Sequence, residues 1–310
     1  MNSLHVPAEL RHPLPVTSPE APSLPDLLPP VVRRTGWVGH VRRHPTIAIG
    51  GGLLLLLVLI GLFAPWLGTV DPSAIAPARR TRVPSAEYWF GTNMLGRDVY
   101  SRVLLGTRVS LVVGFSVAFI ATAVGLAIGL VSGFVRWADG PIMRAMDALM
   151  SIPPILLAIA LMALTRGSIG NVIIAITIAE IPRVSRLVRG VVLSLREQAY
   201  VDAAITTGTP TLRIIARHIM PNTIAPMMVQ ATYICASAMI IEAMLSFIGA
   251  GIPPSTPSWG NIMAEGRALW QVKPYIVFIP AVFLSATVLA INLLGDGLRD
   301  ALDPRAAKGI

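Results

Sequence analysis

Apolar residues fall in long blocks along this chain, not in the short alternations of strands or the one-sided stripes of soluble helices. The run from Thr46 to Leu67 is apolar throughout and meets the roughly 20 residues a bilayer crossing needs. Further blocks cover Val109 to Val135, Ala145 to Leu164 with Pro153 and Pro154 inside it, Ile169 to Ile181, Thr223 to Ile248 and Pro274 to Leu294. The pattern predicts an all-α integral membrane protein with six transmembrane helices. The fourth block is short for a span and reaches full length by running on through Arg183.

These blocks divide the chain. Residues 1–45 form a flexible Pro-rich cytoplasmic tail, with eight prolines in the first thirty residues and no apolar periodicity. The basic cluster Arg33, Arg34, Arg42 and Arg43 leads into the first transmembrane helix, 46–67. A lead-in of that length does not suit a secretory signal, so the block reads as an uncleaved span. An outer loop, 68–106, follows, then a five-helix core, 107–298, that contains a long cytoplasmic loop, 182–221. A cytoplasmic tail, 299–310, closes the chain.

Composition agrees with the blocks: of 310 residues, 54% are hydrophobic and 13% charged, against roughly 25% charged in a soluble protein. Disorder, collagen and most soluble enzymes are excluded. The net charge of +9 suggests nucleic acid until the charges are placed. With both termini inside, 16 of the 25 lysines and arginines fall on the inner segments, the bias expected of cytoplasmic loops. No nucleic-acid partner is expected. Six of the nine outer basic residues lie between Arg79 and Arg108, and they stand against this orientation.

Little in the sequence suggests covalent chemistry. None of the five histidines (His5, His12, His40, His44 and His218) lies in an expected span, and no Ser/His or Cys/His pair suits a membrane site. Neither a catalytic group nor a metal site is expected. The stretch Gly91 to Asp98 mimics a phosphate-binding loop but carries Arg97-Asp98 where Lys-Ser/Thr is needed. The lone Cys235 is a packing residue. Gly125, Gly129 and Gly133 recur at four-residue spacing, a seam for close helix approach unless the glycines are merely tolerated. Glu242 and Glu180 are intramembrane acids, and such groups are usually functional. They are paired or pore-facing, or else proton relays in an ion-coupled carrier, the rival class. Such carriers show matching broken spans in both halves, and no matching pair is found here.

The loop from Pro182 to Pro221 is the most informative segment. Arg183, Arg186 and Arg189 share one helical face, where positive charge anchors an inner surface. Glu197 to Thr206 favours a short helix. Gly208 suits a helix C′ position, Thr209 an N-cap and Pro210 the first turn of a second helix that stops at Pro221. Tyr200-Val201-Asp202-Ala203-Ala204, then Gly208, then Ile219-Met220-Pro221-Asn222, resembles the EAA loop of ABC-importer permeases. The chain departs from that pattern at Asp202, where glutamate is usual, and at His218 and Met220. The stretches FGTNMLGRDVYSRVLLG (90–106), EAMLSFIG (242–249) and PPSTPSWG (253–260) are similar to motifs of dipeptide, oligopeptide and nickel permeases. The resemblance covers roughly residues 75 to 305.

That resemblance implies a permease subunit of an ATP-driven importer in the bacterial inner membrane, with no enzyme activity of its own. Its cargo would be di- or oligopeptides, with nickel or glutathione as alternatives. Asp202, Ala203, Ala204, Gly208 and Pro221 would form the coupling loop seated on a cytoplasmic ATPase, with Asp202 either pairing with that partner or capping its own helix. Glu242 and Trp259 are possible pore or gating residues, and Trp259 and Trp270 also suit an interfacial belt. Implied partners are a second homologous permease, two ATPases, an extracytoplasmic substrate-binding protein and membrane lipid. No cofactor would bind this chain, with ATP and Mg held by the ATPases. A mere membrane scaffold would not need the EAA-like loop.

Overall fold

The computed structural model describes residues 45–302, and the expectations for the two tails lie largely outside that range. Among the described residues the chain is helical, with one isolated bridge between Thr92 and Asp98 and no strand.

Helix α1, Pro45–Phe63, carries no charge and is apolar all round, the composition of a helix with no water-facing side. It buries Gly50, Leu54, Leu57 and Gly61 against the bundle and leaves Leu55, Leu56, Leu59 and Leu62 exposed. Helix α2, Val99–Phe134, runs for 36 residues, about 54 Å at 1.5 Å per residue. Asp98 caps its start by accepting from the amide of Ser101. The helix therefore begins inside the expected outer loop, well before Val109, and is longer than the roughly 30 Å hydrocarbon core.

The third apolar block is not one straight span. Helix α3, Arg136–Met150, begins within residues expected to form a loop, and α4, Pro154–Ala163, leaves it at 85°. Pro153 is extended, with ψ 134°, and ring contacts push a residue that precedes proline out of the helical region. Helix α5, Ile169–Arg196, is capped by Ser168 and continues through Pro182 and four arginines for 28 residues. The expected loop 182–221 accordingly starts about fifteen residues late.

Helix α6, Ala199–Thr206, and the single turn α7, Thr211–Ile214, flank Gly208. Pro210, not Thr209, is the cap of α7. The chain does not stop at Pro221. A π-turn over Ile215–Ile219 passes directly into α8, Met220–Phe247, and Pro221 occupies its first turn, where a missing amide costs little. Helix α9, Trp259–Gly266, and helix α10, Tyr275–Leu302, complete the chain.

Among the described residues, four stretches are apolar and long enough to cross a membrane: Pro45–Trp66, Val99–Phe134, Thr211–Phe247 and Tyr275–Leu302. The bent pair α3 and α4 makes a fifth if it counts as one broken span. Helix α2 is the centre of the bundle and packs on α5, α8, α1 and α10. Its core joins Val113, Val117 and Ala121 to Val184 and Val188 of α5 and to Ile234, Ala238 and Met239 of α8.

Candidate functional site

The three glycines of α2 define its contact with α5. A methyl group on Gly125 would meet Val184, one on Gly129 would meet Val188, and one on Gly133 would meet Val192. Both rows advance by four residues, so three valines of one helix seat against three missing side chains of the other. At Gly129 the added carbon would sit 2.5 Å from Val188 Cβ and 2.8 Å from the Ser185 carbonyl oxygen. Only glycine permits that approach.

Where these helices end, at the Phe134 end of the bundle, arginines of α5 join it to its neighbours. Arg189 grips Asp139 of α3 through two parallel bonds, Nε to Oδ1 at 2.5 Å and Nη2 to Oδ2 at 2.7 Å. Arg186 pairs with Asp147 at 2.5 Å. Arg196 Nη1 donates to the Gly133 and Phe134 carbonyls at 3.1 and 3.4 Å, satisfying acceptors that the end of α2 leaves open. Arg183 lies over the Tyr233 ring and 3.5 Å from Glu180. The arginine face expected to anchor the inner surface is therefore spent on contacts between helices.

Helix α6 stands beyond this layer. Val201 is its buried residue, whereas Asp202 and Ala203 are exposed and Ala204 is half-buried. Gly208 takes φ 74°, a conformation that costs a side-chain-bearing residue roughly 1–2 kcal/mol. It lets the amides of Thr207 and Thr209 close on the Ala203 and Ala204 carbonyls. The ring of Tyr200 packs 6.2 Å from that of His218 and ties α6 to the π-turn. Between α6 and the ends of α2, α3 and α5 lies a cleft of about 600 Å³, lined in part by Arg136, Asp139, Arg196, Glu197 and Asp202. Pro221 lies across the turn on the start of α8 and is exposed.

The opposite end, around Val99, is closed by members of the 90–106 stretch together with Glu265, which local sequence patterns did not single out. Glu265 of α9 pairs with Arg102 at 2.9 Å and Arg97 at 3.6 Å, and accepts from Asn93 Nδ2 at 2.5 Å. Arg102 also donates to the Pro72 and Pro254 carbonyls. Two of the six outer basic residues thus serve an internal ion cluster. Glu265 is the one acid between the Thr223–Ile248 and Pro274–Leu294 blocks, and that is the available signal. The phosphate-loop mimic is part of this closure. Asn93 Oδ1 accepts from the Leu95 and Arg97 amides, and Gly96 turns with φ 74° against the Ala76 carbonyl.

Trp259 does not lie in an interfacial belt. It is wholly buried and its indole nitrogen donates to the Val103 carbonyl at 3.3 Å, while Trp270 is exposed. Glu242 is buried one turn before Ser246, whose hydroxyl donates to Oε1 at 2.8 Å; among the described residues its Oε2 has no partner. Among the described residues there is no group of three or more metal-ligating side chains.

Several apolar helices long enough to cross a bilayer, packed on one central rod and carrying a short capped helix beyond one end, define a multi-pass helical membrane component. The chain belongs to the family of binding-protein-dependent transport system inner membrane components, whose model matches residues 121–308. It is 52% identical to a probable peptide ABC transporter permease of Sinorhizobium fredii, over 86% of this chain and 91% of that one. It is 41% identical to a glutathione transport system permease of Salmonella typhimurium, over 95% of each chain. A dipeptide transport system permease of Alkalihalophilus pseudofirmus is 39% identical, over 86% of this chain and 88% of that one. The fold is similar to a chain of the methionine ABC transporter MetNI solved in an inward-facing conformation. That match has TM-score 0.55 at 19% identity and covers 65% of this chain and 96% of that one.

Proposed function

We propose that this chain is the permease subunit of an ATP-driven importer that moves di- or oligopeptides delivered by a substrate-binding protein. The observation that carries the reading is the 52% identity to a peptide ABC transporter permease over most of both chains. The relative named for glutathione supports a second cargo.

In this reading the bundle crosses the membrane six times with both termini inside. Helix α5 and the bent pair α3–α4 supply the crossings beyond the four apolar stretches, and the Phe134 end is cytoplasmic. Helix α6 with Asp202, Ala203, Ala204 and Gly208 docks in a cleft of an ATPase subunit, and Pro221 fixes the return into α8. Exposure of Asp202 and Ala203 supports this, because side chains held outward remain available to a partner. Two ATPases would carry ATP and Mg, and a second, similar permease would complete the pore. ATP can close the pair only by binding the closed state more tightly than the open one. Glu242 and Trp259 would then serve as pore or gating residues.

The test is reconstitution in proteoliposomes with the second permease, the ATPases and the binding protein. ATP-dependent uptake of a labelled dipeptide is expected, and it should vanish when the ATPases are left out. Substrate-driven uptake that persists without them would overturn the reading.

A further inference from the structure

The Glu265 cluster accounts for only two of the six basic residues of the outer segment. The segment's remaining part, around Arg79, borders a pocket of about 350 Å³ lined by Leu67, Val70, Arg79, Tyr88, Trp89 and Tyr100, together with Glu87 and Asp98. Three features give this pocket a chemical character.

The first is charge of both signs. The Arg79 guanidinium lies 5.8 Å from the centre of the Tyr88 ring. Asp98 Oδ2 accepts from the amide and hydroxyl of Ser101, so the capping carboxylate is held rigid at the pocket wall. The second is an aromatic wall. The rings of Trp89 and Tyr100 lie 4.9 Å apart, and Tyr100 is fixed by donating its hydroxyl to the Leu67 carbonyl at 2.9 Å. Faces of this kind attract an alkylammonium group. The third is continuity with exposed apolar surface. Leu62, Phe63 and Trp66 are exposed along the end of α1 and lead straight into Leu67 and Val70. Trp66 and Trp89 stay exposed beside it, as amphipathic rings do at headgroup depth.

We propose that this pocket binds the head group of a zwitterionic phospholipid. Arg79 takes the phosphodiester, Asp98 takes the ammonium beside Trp89 and Tyr100, since Glu87 is already paired with Arg82 at 3.8 Å, and the acyl chains descend along Leu62 and Phe63 of α1. A small peptide carries the same pair of charges. The apolar path along α1 favours lipid, because a peptide arriving from water has no use for it. An anionic lipid would bring no cation for Asp98 and the aromatic wall to hold. The site does not depend on which cargo the importer carries.

The test uses the full-length chain in its native complex, delipidated in detergent. It is titrated with phosphatidylethanolamine, phosphatidylglycerol, glycerophosphoethanolamine or a dipeptide, and bound species are counted by native mass spectrometry. One phosphatidylethanolamine per copy is expected, held more tightly than phosphatidylglycerol. Arg79→Gln should weaken it about tenfold, the scale of one lost charge-assisted hydrogen bond. Trp89→Ala should weaken it about threefold, and Trp137→Ala, in α3 at the opposite end of the bundle, should leave it unchanged. Equal retention of the two lipids, or no effect of either pocket variant, would overturn the proposal. So would tighter binding of the free head group than of the whole lipid, or displacement of the lipid by the dipeptide, which would reassign the pocket to a soluble zwitterion.

Discussion

The two ends of α2 hold arginine in opposite ways. At the Val99 end, Arg102 is 0% exposed, and Glu265, 18% exposed, serves two arginines at once. At the Phe134 end, Arg186 and Asp147 are 50% and 60% exposed, and Arg189 and Asp139 are 31% and 25% exposed. Buried partners cannot separate without stranding a charge, whereas exposed partners can exchange each other for water. The first end is therefore pinned, and the second is joined by contacts that can open at little cost. The helix proposed to meet an ATPase stands at the end that is free to rearrange.

Substitutions can break or sharpen this contrast. Glu265→Ala should be the most damaging, at roughly 3–5 kcal/mol, because it leaves two shielded guanidinium groups without a counter-charge. Thermal unfolding of the detergent-purified protein would show it, and a loss below about 1 kcal/mol would mean that the Val99 end is not pinned by these ions. Gly129→Ala should come next at about 1–3 kcal/mol, since the new methyl meets Val188 and a backbone oxygen in a packed seam.

Gly208→Ala meets no neighbouring atom and carries only the conformational penalty, roughly 1–2 kcal/mol. Uptake by the reconstituted importer should fall more than stability does. Asp202→Ala should leave stability within about 0.5 kcal/mol, as expected at an exposed site, while lowering uptake severalfold. Were Asp202 only a cap for its own helix, the melting temperature would drop and uptake would fall no further than folding explains.

Much of this architecture is written in local spacing. The glycines at 125, 129 and 133 mark a face of α2 before any partner is known, and Pro153-Pro154 marks a break. Gly208 marks a turn for the same reason, because few residues tolerate a positive φ. The angle at the proline break depends on what α4 packs against, so spacing leaves it open. The full length of α5 was obscured by its own arginines, which look like the end of a span. They are accommodated because Asp139 and Asp147, some fifty and forty residues earlier, meet them. The Glu265–Arg102 pair joins residues 163 apart, and no periodicity reports a contact of that range. Trp259 is illegible for a related reason: an aromatic ring suits headgroup depth and a packed interior equally well, and only the neighbouring Val103 carbonyl decides.

The unbroken length of α2 has a mechanical consequence. A rod of about 54 Å pivoting at its fixed Arg102 end carries its far end about 5 Å sideways for each 5° or so of tilt. Its hydrogen bonds offer no hinge to absorb such a swing. Arg196, holding the carbonyls at the tip, would pass that displacement to the base of α6. Leverage of this kind turns a small rotation in the membrane into a stroke the length of a side chain.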